Sequence, residues 1–102
     1  MFKWCTLLFL ILINDYAFAM PDIRVEHGKS LEGYARLRII NNTTRPLACY
    51  VAIDGYKKRF VLGALKPSLW YKATNMAYNY KHFSSWCDYL EFHPSYQRYR
   101  EN

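Results

Sequence analysis

The chain reads as all-β: a small antiparallel β-sandwich or barrel of six or seven short strands, closed by one disulfide. Three observations predict this. Apolar and polar residues alternate at period two in several runs, Asp54-Gly55 breaks one of them with a strong hairpin signal, and no segment keeps helical apolar spacing for three turns. A chain of 102 residues has room for one domain.

Taken in order, Ile23 to Glu26 reads as an edge strand. From Gly33 to Ile40, Ala35, Leu37 and Ile39 fall on one face and Tyr34, Arg36 and Arg38 on the other. Asn41 to Pro46 is a polar loop. Leu47, Cys49, Val51 and Ile53 then alternate with Ala48, Tyr50 and Ala52 up to Asp54-Gly55. With those two as the turn, Ile53 pairs with Tyr56, Val51 with Lys58, Cys49 with Phe60 and Leu47 with Leu62. Lys58 is the misfit: either its stem lies along the apolar face with its ammonium at the edge, or a bulge shifts the register. Gly63 to Ser68 is a second connection, with Pro67 denying a ladder hydrogen bond. Leu69 to Ala73 is a short aromatic strand. In Thr74 to His82, Met76, Tyr78 and Tyr80 alternate like a strand while Asn75 and Asn79 suggest irregular backbone. Phe83 to Phe92 is the last strand, stopped by His93-Pro94, and residues 95–102 read as a flexible tail.

The start of the chain has the three parts of a signal peptide. Lys3 gives a positive end, Cys5 to Ile13 is an apolar run interrupted only by Thr6, and Asn14 to Ala19 ends on small residues at Ala17 and Ala19. Residues 1–19 are therefore expected to be cleaved before Met20, leaving a single β-rich domain over residues 20–94. An uncleaved anchor is the competing reading, but the run is about half the ~20 apolar residues that span a bilayer. No transmembrane span is expected in the mature chain, and the expected location is secreted or periplasmic. Cleavage removes Lys3 and Asp15, one charge of each sign, so the net charge of +6 is kept. Such a surface favours acidic partners, although a charge of this size is also ordinary for solubility. Cleavage also removes Cys5, so Cys49 and Cys87 have only each other as intramolecular partners in an oxidising compartment. A free thiol pair or an intermolecular bridge would be the alternatives. The bridge would join the third strand to the last one, which in a sandwich can run across two packed sheets.

Residues for catalysis are sparse. His27, His82 and His93 match no zinc spacing, and neither a metal nor any other cofactor is expected. Ser84 or Ser85 with His82 and Asp88 could be named as a triad, yet no glycine-flanked serine supports it. Phosphate-cradling glycine loops are absent. Asn41 and Asn42 each begin a glycosylation sequon. The more informative feature is aromatic residues interleaved with basic ones: Tyr56 to Phe60, Trp70 to Lys72, Tyr78 to Lys81 and Tyr96 to Arg100. Aromatic faces stack on sugars or bases while Lys and Arg meet anions. The alternative is that Trp70, Trp86, Tyr89 and Phe92 fill a small core.

Trp70 between Cys49 and Cys87 is similar in order to immunoglobulin domains, but the cysteines are closer together and Ser85 stands where such domains carry tyrosine. Leu47 to Gly55, Trp70 to Thr74 and Ser85 to Leu90 resemble small exported proteins of uncharacterised function in gamma-proteobacteria. That resemblance implies a periplasmic or secreted bacterial location and carries no activity or site residue. The function expected is an exported, non-catalytic interaction module binding an anionic glycan, a nucleic acid, an envelope surface or a protein partner. Arg36, Arg38, Lys57, Arg59, Trp70 and Lys72 are the candidate binding residues. The runner-up is a small secreted hydrolase using His82, Asp88 and Ser84, or a disulfide-stabilised inhibitor presenting residues 41–46 or 63–68. A purely structural domain within an envelope assembly, marked by a flat apolar patch, is the third reading.

Overall fold

Period-two alternation places the strands, and the apolar set of each run turns inward. A computed structural model describes residues 20–53 and 55–100. Its strands are β1 (Ile23–Lys29), β2 (Ala35–Asn41), β3 (Leu47–Ile53), β4 (Tyr56–Leu62), β5 (Tyr71–Lys72) and β6 (Phe83–Tyr89). They form two antiparallel three-stranded sheets, a first sheet ordered β1-β2-β5 and a second ordered β4-β3-β6. The leader expected at residues 1–19 lies outside the described residues. Among the described residues no helix is long and apolar enough to cross a membrane.

The sheets share one core. Leu37 and Ile39 from β2 pack with Leu47, Cys49 and Val51 from β3, Phe60 and Leu62 from β4, and Cys87 from β6. Each such Leu, Ile or Phe stabilises the fold by about 1.5–3 kcal/mol when fully buried. The core is mainly aliphatic, and the alternative in which four aromatic residues fill it holds only in part. Phe92 is exposed, and Trp70, Trp86 and Tyr89 are only half-buried.

The β3–β4 hairpin has the expected register, from Ile53 opposite Tyr56 to Leu47 opposite Leu62. Gly55 takes a φ of +91°, a conformation that favours glycine, while Asp54 lies outside the described residues. Lys58 therefore sits opposite Val51 on the inward side without a bulge.

The expected bond between Cys49 and Cys87 joins the third strand to the last, and it lies within one sheet rather than across two: the residues stand directly opposite each other on β3 and β6, with Cα atoms 4.1 Å apart. Other element bounds differ from those expected. The strand expected from Leu69 to Ala73 shrinks to Tyr71–Lys72, and Thr74 to His82 is turn ending in a 3-10 segment at Tyr80–His82. The last strand stops at Tyr89 and is followed by 3-10 segments at Leu90–Phe92 and Pro94–Tyr99. Within the segment expected as a tail, Ser95 to Tyr99 lie in the last 3-10 segment and Arg100 bridges Val61 of β4, while residues 101 and 102 lie outside the described residues.

Two polar side chains close the first sheet where β5 is missing. Pro67 has no N–H to give, and Ser68 compensates: its N–H donates to the Ile39 carbonyl at 2.7 Å and its Oγ accepts from the Ile39 N–H at 2.9 Å. Asn41, fully buried, donates through Nδ2 to the carbonyls of Arg45, Leu62 and Gly63 and accepts at Oδ1 from the Thr43 N–H and hydroxyl. Of the two sequons, only that of Asn42 presents an exposed asparagine.

Candidate functional site

In an antiparallel sheet, residues opposite one another share a face with every second residue along each strand. That rule divides the six expected binding residues between opposite sides of the sandwich.

On the outer face of the first sheet, Gly28, Arg36 and Lys72 are in register, as are Glu26 and Arg38. The Trp70 ring lies over Gly28, in ordinary van der Waals range at 3.5 Å from where a Cβ would stand. The guanidinium carbons of Arg36 and Arg38 stand 4.2 and 4.7 Å from the Trp70 ring centroid, within cation–π range. Arg38 Nε also donates to Glu26 Oε1 at 2.7 Å, and Arg24 Nη2 to Oε2 at 3.0 Å. The Arg38 hydrogen bond, opposed by desolvation and aided by the charges of Arg38 and Arg24, holds the Glu26 carboxyl below its ordinary value. Lys72 lies 5.0 Å over the Tyr34 ring. Glu32 is likewise lowered, by its own backbone N–H first, then by the Ser30 hydroxyl and the charge of Lys72. Of the cations around Trp70, Arg38 is paired with Glu26 and Lys72 lowers Glu32 by its charge, while Arg36 rests on the indole with its Nε buried and without a hydrogen-bond partner.

The outer face of the second sheet is built differently. Arg59, Tyr50 and Trp86 form one row across β4, β3 and β6, and Lys57, Ala52 and Ser84 form the next. The Tyr50 and Trp86 rings stack with centroids 5.4 Å apart, and the Lys57 ammonium stands 4.2 Å over Tyr50. Trp86 also meets His93 edge-on at 5.0 Å and Tyr96 at 6.1 Å. His93 Nε2 is 3.0 Å from Asp88 Oδ2, which anchors the segment Pro94–Tyr99 across the far end of this face. Ala48 points outward there yet is fully buried. Lys57 and Arg59 are exposed, and among the described residues no carboxylate lies within ion-pair distance of either.

The other sequence-derived sites do not assemble. Asp88 pairs with His93 rather than His82, and His82 Nδ1 accepts from the Asn79 N–H as part of a local cap. Ser84 lies four residues from Asp88 on one extended strand, about 13 Å away. Among the described residues no group of three His, Cys, Asp or Glu could hold a metal. The loops considered for inhibition are tied to each other through Asn41 and through the Leu65 N–H to the Thr43 carbonyl.

Tyr50, Trp86, His93 and Tyr96 were not among the candidate residues read from sequence. A signal for the first two existed: Tyr50 follows Cys49 and Trp86 precedes Cys87, so an in-sheet bridge makes them neighbours. With this geometry in hand, comparison with known proteins adds no template: no family model, curated protein or solved structure matches the chain.

Proposed function

We propose that the chain is an exported, non-catalytic module that binds a polyanion on the outer face of its second sheet. One juxtaposition carries the reading. Lys57 and Arg59 project from alternate positions of the edge strand β4, without described counter-charges, beside the stacked Tyr50–Trp86 pair. Two cations at strand spacing, unpaired among the described residues, suit the repeated charges of an anionic glycan or a nucleic-acid backbone, and the adjacent rings supply apolar contact with sugar or base. The overall charge of +6 strengthens encounter with such a polymer. Export is supported by the layout of residues 1–19 and by a disulfide suited to an oxidising compartment, periplasmic or extracellular.

Retention on heparin and on single-stranded DNA, measured against salt, tests the proposal and separates glycan from nucleic acid. Replacing Lys57→Gln with Arg59→Gln should lower the salt slope on single strands by about 1.4, roughly 0.7 per lost phosphate contact. The charge-matched Arg24→Gln, Lys29→Gln control should leave it nearly unchanged. Absence of retention on both matrices at low salt would refute the polyanion reading and leave a protein partner as the occupant of this face.

A further inference from the structure

A second feature lies between the sheets rather than on them: a cleft of about 390 Å³ at the hairpin end of the second sheet. Its origin is a mismatch in strand length. Tyr71 of β5 stacks on Phe60 of β4 at 4.9 Å, but β5 ends at Lys72 while β4 runs seven residues. The two inward positions of β4 beyond Phe60, Lys58 and Tyr56, therefore face an opening instead of a covering strand. Val51 and Ile53 of β3 line its apolar wall with the Tyr71 ring, and Thr74 lies at the rim. A cleft of this size, mostly apolar with few polar groups, suits a small ligand.

Lys58 is the feature that selects the ligand. It is the one charged residue among the eight inward positions of β3 and β4, set opposite Val51 where the pattern calls for an apolar side chain. Among the described residues its ammonium has no hydrogen bond, ion pair or ring beneath it. A cation with no partner among the described residues, beside an apolar cleft, complements a molecule with an anionic head and an apolar body. The Lys72 ammonium stands instead over the Tyr34 ring on the outer face.

We propose that this cleft binds a small amphiphilic carboxylate, with its chain against Val51, Ile53 and Tyr71 and its carboxylate on the Lys58 ammonium. This site is distinct from the outer face that carries Lys57 and Arg59, so either can fail without the other. The test is titration of the purified protein with decanoate below its micellar range, followed by backbone amide shifts and calorimetry. Decanol supplies the same chain without charge, and butyrate supplies the charge with little chain. Decanoate should bind more tightly than either, with shifts centred on Val51, Ile53 and Lys58. Lys58→Met keeps the apolar stem and should weaken decanoate about tenfold, the loss of one charge-assisted contact, while leaving decanol unchanged. Thr74→Phe, at the exposed rim, should block both by filling the mouth. No decanoate binding, shifts centred elsewhere, or decanoate affinity that Lys58→Met leaves intact would each overturn the site.

Discussion

The two outer faces of the sandwich carry basic residues at the same kind of position, alternate residues of a strand, and use them in opposite ways. On the first sheet, Arg38 is bonded to Glu26, Trp70 lies against Arg36 and Arg38, and Lys72 has Tyr34 and Glu32 nearby. On the second, Lys57 rests on a tyrosine and Arg59 stands free of any described carboxylate. The sheets also differ in how they are held. The second has a covalent tie between β3 and β6, whereas the first relies on hydrogen bonds from Ser68 and Asn41 and on the Trp70 cluster. The exposed cations of the crosslinked sheet have no described carboxylate beside them, while Arg38 on the other sheet is bonded to its neighbour Glu26.

The largest expected effect comes from removing the tie. Replacing both Cys49 and Cys87 with Ser releases a crosslink spanning 38 residues, about 4 kcal/mol in the chain-entropy account. A domain of this size should then melt roughly 15 °C lower or more in non-reducing buffer. An unchanged melting temperature would mean that strand pairing alone holds the second sheet, and the contrast in how the sheets are held would disappear.

Trp70→Ala tests the opposite sheet. It removes a half-buried ring and two cation–π contacts, leaves Gly28 uncovered, and should cost about 2 kcal/mol in denaturant unfolding. Retention on heparin should stay at the wild-type level per folded molecule. The complementary variant, Lys57→Gln with Arg59→Gln, should change stability by no more than about 0.5 kcal/mol while lowering the salt slope. If the two variants exchanged these outcomes, Trp70 would belong to the binding surface and β4 to the scaffold.

This division was only partly legible in the sequence. Period-two alternation places β2, β3 and β4, and Asp54-Gly55 sets the hairpin register residue for residue, because a tight turn fixes pairing and pairing fixes faces. Face membership within a strand could therefore be read: Arg36 with Arg38, and Lys57 with Arg59. Which sheet each strand joined could not, since β5 pairs with β2 across more than thirty intervening residues and contributes only Tyr71 and Lys72. That is why six residues read as one surface occupy two. The segment after Tyr89 was illegible for another reason. Its order depends on His93 meeting Asp88 and Tyr96 meeting Trp86, contacts without periodicity.

The smallest effect concerns the acid that keeps the first face matched. Because Glu26 titrates below its ordinary value of 4.5 in the folded chain, its contribution is fully present above that pH and is lost as pH falls through the lowered folded value. Glu26→Gln lacks the contribution at every pH, so its modest stability gap from wild type at pH 7 should begin to narrow as pH falls below 4.5 and close below the lowered folded value; Glu32, unchanged in both, cancels. A gap that failed to narrow on acidification would assign the difference to packing rather than to the Arg24–Glu26–Arg38 contacts. The same substitution strips Arg24 and Arg38 of their counter-charge. Added in the Lys57→Gln, Arg59→Gln background, it should restore part of the heparin retention if matching by Glu26 is what silences this face, and restore none if the geometry around Trp70 also excludes a polymer.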